Sequence, residues 1–142
     1  MDHVVYLDAK ANEMENMLSG KKSMIIRGAA GRKVPYGKVC AGDVLYFINN
    51  NAEGDIKAKG TVNFVLNSDK MSQETSIALV NKYQHQLKLT DKQFKKWAGK
   101  RYLVLIEISD MEAIQPFQFN REIFKNTMDD WLPVENIDMV KK

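Results

Sequence analysis

The close spacing of strand-like segments restricts the fold of this chain more than any other feature of its sequence. Residues 44–48 (Val-Leu-Tyr-Phe-Ile) form a strand-sized apolar run, and only the polar stretch 49–55 separates them from a second such segment at 56–66. A parallel crossover needs about a dozen or more residues, so this pair predicts an antiparallel hairpin. Gly60, inside the second segment, predicts a bulge or a bend. Further strands are predicted at 3–7, 23–27, 102–109 and 117–119.

Helical spacing separates these strands in several places. Apolar residues predict a helix from about residue 9 to a cap at Gly20, and further helices over 72–87 and 120–128. Thr90 and Gln93 have the spacing of a capping box, which predicts another helix start. A doubly wound parallel sheet fits this pattern poorly, because strands and helices do not alternate regularly. The sequence therefore predicts one α+β domain over residues 1–142, a small mixed or mostly antiparallel β-barrel with helices at its edge.

Composition limits the function classes. Apolar residues make up 44% of the chain and charged residues 27%, as in a soluble globular protein without a membrane span. No export signal follows Met1, so a cytoplasmic location is expected. The single cysteine, Cys40, excludes an internal disulfide and is expected to be a small buried residue. His3 and His85 lack metal-ligand neighbours in sequence, so neither a metal nor another cofactor is expected.

Positive charge is concentrated in one glycine-rich segment. Residues 16–42 hold six Lys or Arg and no acid (+6), residues 1–15 hold one base and four acids (−3), and residues 43–142 hold fourteen of each, which gives the total of +3. Such a segment suits a phosphate-bearing partner, because each phosphate that a cation neutralises releases condensed counterions. A solvated loop beside a strand explains the same pattern equally well.

One motif within this segment is similar to a known signature. Residues 20–27, Gly-Lys-Lys-Ser-Met-Ile-Ile-Arg, resemble the G-x-K-x-x-[E/T]-x-R pattern of the ASCH domain family. The preceding Leu18-Ser19-Gly20 and the later Gly42-Asp43 before an apolar strand also match that family. The resemblance implies a PUA-like β-barrel and an RNA-binding or nucleotide-binding module, with RNA, a nucleotide or a modified nucleoside as the partner.

The same resemblance places candidate binding residues at the mouth of the barrel. Lys22 and Arg27 are expected to contact the ligand, although Arg27 also suits a structural ion pair, for example with Asp43. Tyr36 is available either to stack on a base or to pack its loop against the barrel. The residues expected to follow a nucleic-acid backbone are Arg32, Lys33 and Lys38.

A hydrolase is the alternative, and whether the chain is an enzyme stays open at this point. Some members of the family resemble amidohydrolases that act on acylated cytidines with a lysine, a threonine and a glutamate. The lysine falls on Lys22, but the threonine falls on Ile25, and residues 84–86 (Gln-His-Gln) supply no carboxylate. Glu74 lies near the start of a nearby predicted helix. A negative charge there interacts favourably with the helix dipole, which is enough to explain a glutamate at this position. Lys22 would serve either this amidohydrolase or a ribonuclease.

A second positive cluster lies on one predicted helix. It consists of Lys92, Lys95, Lys96, Lys100 and Arg101. The spacing of three and four residues places most of these cations on one face, which is either solvated or an extension of the binding groove. Trp97, on the other side, is expected to belong to the core. Oligomeric state is not encoded in any recognisable pattern.

Overall fold

A computed structural model describes residues 1–124 and 127–142. The strands are β1 (Asp2–Leu7), β2 (Met24–Ala29), β3 (Val44–Asn49), β4 (Asp55–Asn67), β5 (Tyr102–Gln118) and β6 (Trp131–Val134). The helices are α1 (Glu13–Leu18), α2 (Gln73–Leu87) and α3 (Asp91–Trp97), with 3₁₀ turns at Arg121–Phe124 and Ile137–Val140.

The six strands form one curled sheet in the order β2-β5-β4-β3-β1-β6. Every neighbouring pair is antiparallel except β1 and β3, which run parallel. The sheet curls into a half-barrel with the helices beside it, so the predicted mixed α+β barrel is confirmed. A parallel β1–β3 pair requires a long connection, and residues 8–43 supply it with α1, β2 and the basic loop.

Apolar side chains pack on both faces of this sheet. Val5, Ile25, Phe47, Ile106 and Trp131 belong to the cluster enclosed by the curl. On the outer face of β2 and β5, α2 and α3 cover a second cluster, which includes Met24, Ile26, Val80, Leu87 and Leu105. Alternation along β2 therefore directs residues 25 and 27 toward the enclosed side and residues 24 and 26 toward the helices.

Local signals in the sequence determine several boundaries. The Thr90 side chain accepts a hydrogen bond from Gln93 N while the Gln93 side chain accepts one from Thr90 N, which confirms the capping box. Gly20 has φ of +81°, as a helix-ending glycine requires. The register of β4 against β5 shifts between Lys59 and Thr61, so the irregularity expected at Gly60 is confirmed.

Three expectations about the chain need correction. Strand β5 continues through Pro116 rather than ending before it, because Pro116 lies where the β4–β5 register is irregular and its missing N–H costs no ladder bond. Cys40 is exposed, since it lies in the turn before Asp43. The helix expected over 120–128 is a 3₁₀ turn over Arg121–Phe124, and residues 125 and 126 lie outside the described residues.

Candidate functional site

A cleft lies between α3, the end of β2 and the segment 127–130 that precedes β6. It has two adjoining chambers, one of about 260 Å³, which we call the inner chamber, and one of about 500 Å³, which we call the outer chamber. Arg27, Lys96, Trp97 and Asp130 line both. The inner chamber also has Tyr6, Asp8, Glu13, Gln93 and Arg121 in its wall. The outer chamber extends along the loop that follows β2 and includes Lys33, Tyr36 and Lys100.

The two chambers differ in charge. The inner chamber is lined by the carboxylates Asp8, Glu13, Asp129 and Asp130 and by the cations Arg27, Lys96 and Arg121. The outer chamber lacks Asp8, Glu13 and Arg121 and gains Lys33 and Lys100, so four cations there accompany two carboxylates. The inner chamber therefore suits an uncharged group with both hydrogen-bond donors and acceptors, while the outer chamber suits an anion.

Lys22 and Glu13 form a buried ion pair behind the inner chamber. Lys22 Nζ lies 2.6 Å from Glu13 Oε2, and the two side chains are 2% and 6% exposed. Glu13 also accepts hydrogen bonds from Asp8 N and from Gln93 Nε2. Burial alone raises the pKa of Glu13, but the charges of Lys22 and Arg27 and the hydrogen bonds from Lys22 and from Asp8 N outweigh burial and hold it below its usual value.

Only Glu13 of this pair reaches the cleft, because Lys22 is not part of either chamber's wall. Ile25 is fully buried in the enclosed core, so it offers the ligand neither a hydroxyl nor a contact. Glu74 is exposed in the first turn of α2 and lies outside both chambers. The carboxylate that accompanies Lys22 is therefore Glu13 on α1, not a residue of α2.

Arg27 lines the cleft and also connects neighbouring parts of the fold through hydrogen bonds and an ion pair. Its Nη1 donates to Ile26 O at 2.8 Å and its Nη2 donates to Tyr6 O at 2.6 Å. Its Nε lies 3.2 Å from Asp130 Oδ2, close enough for an ion pair although the angle does not satisfy a hydrogen bond. Asp130 is thus the carboxylate partner of Arg27, whereas Asp43 pairs with His3.

The basic loop reaches the outer chamber through two of its candidate residues. Lys33 lines the chamber and lies 3.5 Å from Asp129 Oδ1 in an exposed pair. Tyr36 also lines the chamber, and its hydroxyl donates to Ser68 O while its ring packs edge-on against Tyr102. Tyr36 therefore fastens the loop to the barrel.

The other two loop cations lie outside the chambers. Arg32 is 5.7 Å from the ring centroids of both Tyr36 and Tyr102, so its guanidinium packs against the exposed side of that aromatic pair. Lys38 is exposed on the same loop.

Helix α3 supplies the aromatic wall. Trp97 is half-buried, packs on the outer-face cluster and exposes part of its indole to both chambers. Lys96 Nζ lies 4.7 Å from its ring centroid, and Arg27 Cζ lies 5.8 Å away. Trp97 packs on the core cluster, as the sequence predicts, and it also lines the cleft, because it ends α3 where the helix meets the two chambers.

A separate open groove carries two exposed lysines. Lys21 and Lys88 line it, together with His85, beside the ends of α1 and α2. Both helices direct their C-terminal carbonyls toward this groove, and cations at a helix C-terminus stabilise the helix dipole. The cations here have a structural reason, so the groove is not the favoured ligand site.

Sequence reasoning missed Glu13, Arg121 and the pair Asp129–Asp130. Arg121 and the two aspartates lie about a hundred positions from Arg27, and no local pattern joins them. The sequence does contain a sign of the role of Glu13, because Glu13 lies four residues before Met17 and so shares the face of α1 that packs on the barrel. A glutamate on an apolar helix face indicates a buried partner.

Comparison with solved structures identifies the fold. The crystal structure of a Tyr-to-Phe mutant of the ASCH protein from Zymomonas mobilis matches with a TM-score of 0.70 and 15% identity, over 97% of this chain and 93% of that one. The unmutated protein matches with a TM-score of 0.69 and 15% identity, over 97% and 90%. The chain has the ASCH-domain fold.

The similarity to these structures lies in the backbone fold and not in the amino-acid sequence. A Ser-to-Ala mutant of the same Zymomonas mobilis protein also has the ASCH fold, with a TM-score of 0.70, 15% identity and coverage of 97% and 91%. No family model and no curated protein sequence matches the chain. The sequence-level resemblance to the ASCH signature is therefore confirmed at the level of fold.

Residues 1–124 and 127–142 lack two features, a membrane-spanning helix and a metal-binding cluster. In this part of the chain no helix combines the length and apolarity needed to cross a bilayer. The same residues contain no cluster of three or more His, Cys, Asp or Glu side chains placed to hold a metal ion.

Proposed function

We propose that this chain is an RNA-binding or nucleotide-binding module whose ligand occupies the two-chamber cleft. The observation that carries the proposal is the division of charge along one cleft whose two chambers share the Trp97 indole. The inner chamber has four carboxylates and three cations, whereas the outer chamber has two carboxylates and four cations. A nucleotide has the same division, since its base is uncharged and its phosphate is anionic. The ASCH fold supports this assignment by analogy with other PUA-like domains.

The binding mode follows from the cleft walls. The base enters the inner chamber against Trp97, because an aromatic face stacks on any base and contributes about 1–3 kcal/mol. The phosphates lie in the outer chamber near Lys33, Lys96 and Lys100. Further nucleotides follow the basic loop past Arg32 and Lys38. Arg27 holds the wall in place, since its nitrogens already face oxygens of the fold.

Fluorescence anisotropy with a short single-stranded RNA at several salt concentrations tests this proposal. Replacing Lys33, Lys96 and Lys100 together with alanine lowers the affinity and reduces the slope of log K against log salt by about 2, because each phosphate contact on a single strand contributes about 0.7. The matched control replaces Lys21, Lys88 and Lys142, three lysines outside the cleft, and leaves the slope nearly unchanged. Absence of binding at low salt, or equal losses in both triple variants, rejects the proposal.

A hydrolase that acts on acylated nucleosides, or a ribonuclease, is a second candidate because of the Lys22–Glu13 pair. Glu13 faces the inner chamber and its pKa lies below the usual value, so it is ionised at neutral pH and is able to accept a proton from an attacking water. Lys22 is behind it and orients the carboxylate through the 2.6 Å contact. With Ile25 buried, the nucleophile in this scheme is water rather than a protein hydroxyl.

Incubation with acylated cytidines and with RNA tests the second candidate. A Glu13→Gln variant keeps the shape of the side chain and its contact with Asp8 N but loses the base. Because this change also removes the charge that pairs with Lys22, folding of the variant is verified first by circular dichroism. Turnover by the wild type that is lost in the folded variant supports a hydrolase. Turnover that is absent, or equal in both proteins, leaves binding as the function.

A further inference from the structure

A third cavity, of about 370 Å³, adjoins the inner chamber beside the first turn of α3, and we call it the third chamber. The residues that line both are Asp8, Asn50, Gln93 and Lys96. The third chamber adds two lysines of its own, Lys10 and Lys92. Of the described residues, only Asn50 and Lys96 line both the third and the outer chamber. These two chambers therefore extend from the inner chamber toward different parts of the surface.

Three lysines of the α3 region follow the course of the cleft. Lys92 and Lys96 are one turn apart on α3, which separates their Cβ atoms by about 5–6 Å, and Lys100 follows the end of the helix. Lys92 lines the third chamber, Lys96 lines all three chambers and Lys100 lines the outer chamber. Positive charge therefore extends from one end of the cleft to the other.

The balance of charge changes twice along this path. The third chamber has three cations, Lys10, Lys92 and Lys96, and one carboxylate, that of Asp8. The inner chamber has more carboxylates than cations, and the outer chamber has more cations than carboxylates. Both ends of the cleft thus suit an anion, whereas the chamber between them suits an uncharged group.

The lysines of the third chamber are available to a ligand. Lys10, Lys92 and Lys96 are exposed, and within residues 1–124 and 127–142 none of them forms an ion pair. Asp8 Oδ1 accepts a hydrogen bond from Ala11 N at 3.2 Å, so this carboxylate is held by its own turn and not by the lysines. An anion that enters the third chamber breaks no ion pair of the fold.

Asn50 lies where the three chambers meet. Its side chain is exposed and lines all three. Asn50 Oδ1 accepts a hydrogen bond from Ala9 N at 2.9 Å, which fixes the orientation of the amide and leaves Nδ2 as the donor. A neutral donor at this junction suits a sugar oxygen of a strand that passes from one chamber to the next.

We propose that the third chamber is a second phosphate subsite, so that the cleft holds an internal nucleotide of a single strand, with a backbone phosphate on each side of the base. The inference rests on the proposed nucleotide-binding function and extends it. A nucleoside monophosphate has phosphate on one side of its sugar and fills one cationic chamber. An internal nucleotide has phosphate on both its 5′ and its 3′ oxygen and fills both.

Displacement of a labelled short single-stranded RNA, followed by fluorescence anisotropy at low salt, tests this assignment. The competitors are the 5′-monophosphate, the 3′-monophosphate and the 3′,5′-bisphosphate of each of the four common nucleosides. We expect the bisphosphate of the best-bound nucleoside to bind about fivefold more tightly than either of its monophosphates, the effect of one additional exposed charge contact.

Two double variants separate the two ends of the cleft. Lys10→Ala with Lys92→Ala removes the advantage of the bisphosphate and weakens one of the two monophosphates. Lys33→Ala with Lys100→Ala weakens the other monophosphate. The matched control is Lys21→Ala with Lys88→Ala, which removes the same charge outside the cleft and keeps the advantage of the bisphosphate. All six lysines are exposed, so these changes leave the packing of the fold intact.

Three results decide between the outcomes. A bisphosphate that binds no more tightly than its better monophosphate overturns the second phosphate subsite. An advantage that survives in the Lys10→Ala and Lys92→Ala double variant as it does in the control also overturns it. Failure of the labelled RNA to bind the wild type at low salt rejects the nucleotide-binding function itself.

Discussion

Lys22 Nζ lies 2.6 Å from Glu13 Oε2, and the pair is almost wholly enclosed between α1, α3 and the start of β2. Desolvation offsets much of the attraction between two such buried charges, but the loss of either one leaves the other buried and unpaired. Glu13 reaches the cleft on one side of the pair, and Asn16 O accepts the Lys22 N–H on the other. The position of α1 against the barrel therefore depends on a polar contact as well as on Met14 and Met17.

Loss of one member of the Lys22–Glu13 pair is expected to lower the stability of the fold. Lys22→Met leaves the Glu13 carboxylate buried without its cation, and we expect the free energy of unfolding in urea to fall by about 3–5 kcal/mol. The double variant Lys22→Met with Glu13→Leu recovers much of that loss. Lys59→Met is the control, because Lys59 pairs with Glu112 in an exposed bridge worth less than about 1 kcal/mol. A loss for Lys22→Met as small as that of the control contradicts this account.

The second prediction concerns pH. His3 is fully buried, accepts a hydrogen bond from Trp131 Nε1 at its Nδ1 and donates from Nε2 to Asp43. Burial lowers the pKa of His3 below its ordinary value of 6.5 and outweighs the Asp43 carboxylate, which raises it. The unfolded chain therefore binds more protons as the pH falls below 6.5, and the free energy of unfolding decreases with it.

His3→Gln removes this titration and flattens the dependence of stability on pH between 6.5 and the lower folded-state pKa. The comparison uses slopes of unfolding free energy against pH, because His3→Gln also loses native hydrogen bonds. His85→Gln, on the exposed face of α2, is the matched control and keeps the wild-type slope. A His3→Gln variant with an unchanged slope would show that His3 is not the group responsible.

The third prediction tests the bulge in β4. A Cβ on Gly60 would lie 2.5 Å from Ile108 Cγ2 and 3.1 Å from Met111 Sδ, so Gly60→Ala overpacks the β4–β5 contact. We expect a loss of about 1–3 kcal/mol in chemical denaturation. Gly31→Ala is the control, since no atom lies within 4 Å of a Cβ at that position. Equal stability of the two variants would be inconsistent with the described packing.

The fourth prediction uses the two tryptophans. Trp97 is half-buried in the cleft wall, whereas Trp131 is 1% exposed in the core. Acrylamide quenching of the wild type should therefore come mainly from Trp97, and RNA should protect it. Trp97→Leu removes the quenchable signal and weakens binding by about 1–3 kcal/mol, the contribution of one base stacked on an aromatic ring. Quenching that RNA leaves unchanged argues against stacking on Trp97.

Local chemistry explains which parts of the structure the sequence predicts. The capping box at Thr90 and Gln93, the cap at Gly20 and the bulge at Gly60 depend on neighbours in the chain, and all three are confirmed. The continuation of β5 past Pro116 depends on its pairing with β4, which no local pattern specifies.

The candidate site was harder to predict because its walls come from distant parts of the chain. Arg27 and the loop cations were found from charge and motif, but Asp130 and Arg121 enter the cleft only after β6 pairs with β1. The basic segment identified from the sequence therefore lines only part of the cleft, and carboxylates from distant residues line the rest. Contacts of this kind follow from topology, so composition alone does not reveal them.

Mapping of amide and indole chemical shifts during titration with a short single-stranded RNA tests the central claim most directly. We predict that the largest changes fall on the Trp97 indole and on Lys33, Lys96 and Tyr6, around the two chambers. Changes centred on Lys21, His85 and Lys88, or an absence of changes at low salt, would contradict the assignment of this cleft as the ligand site.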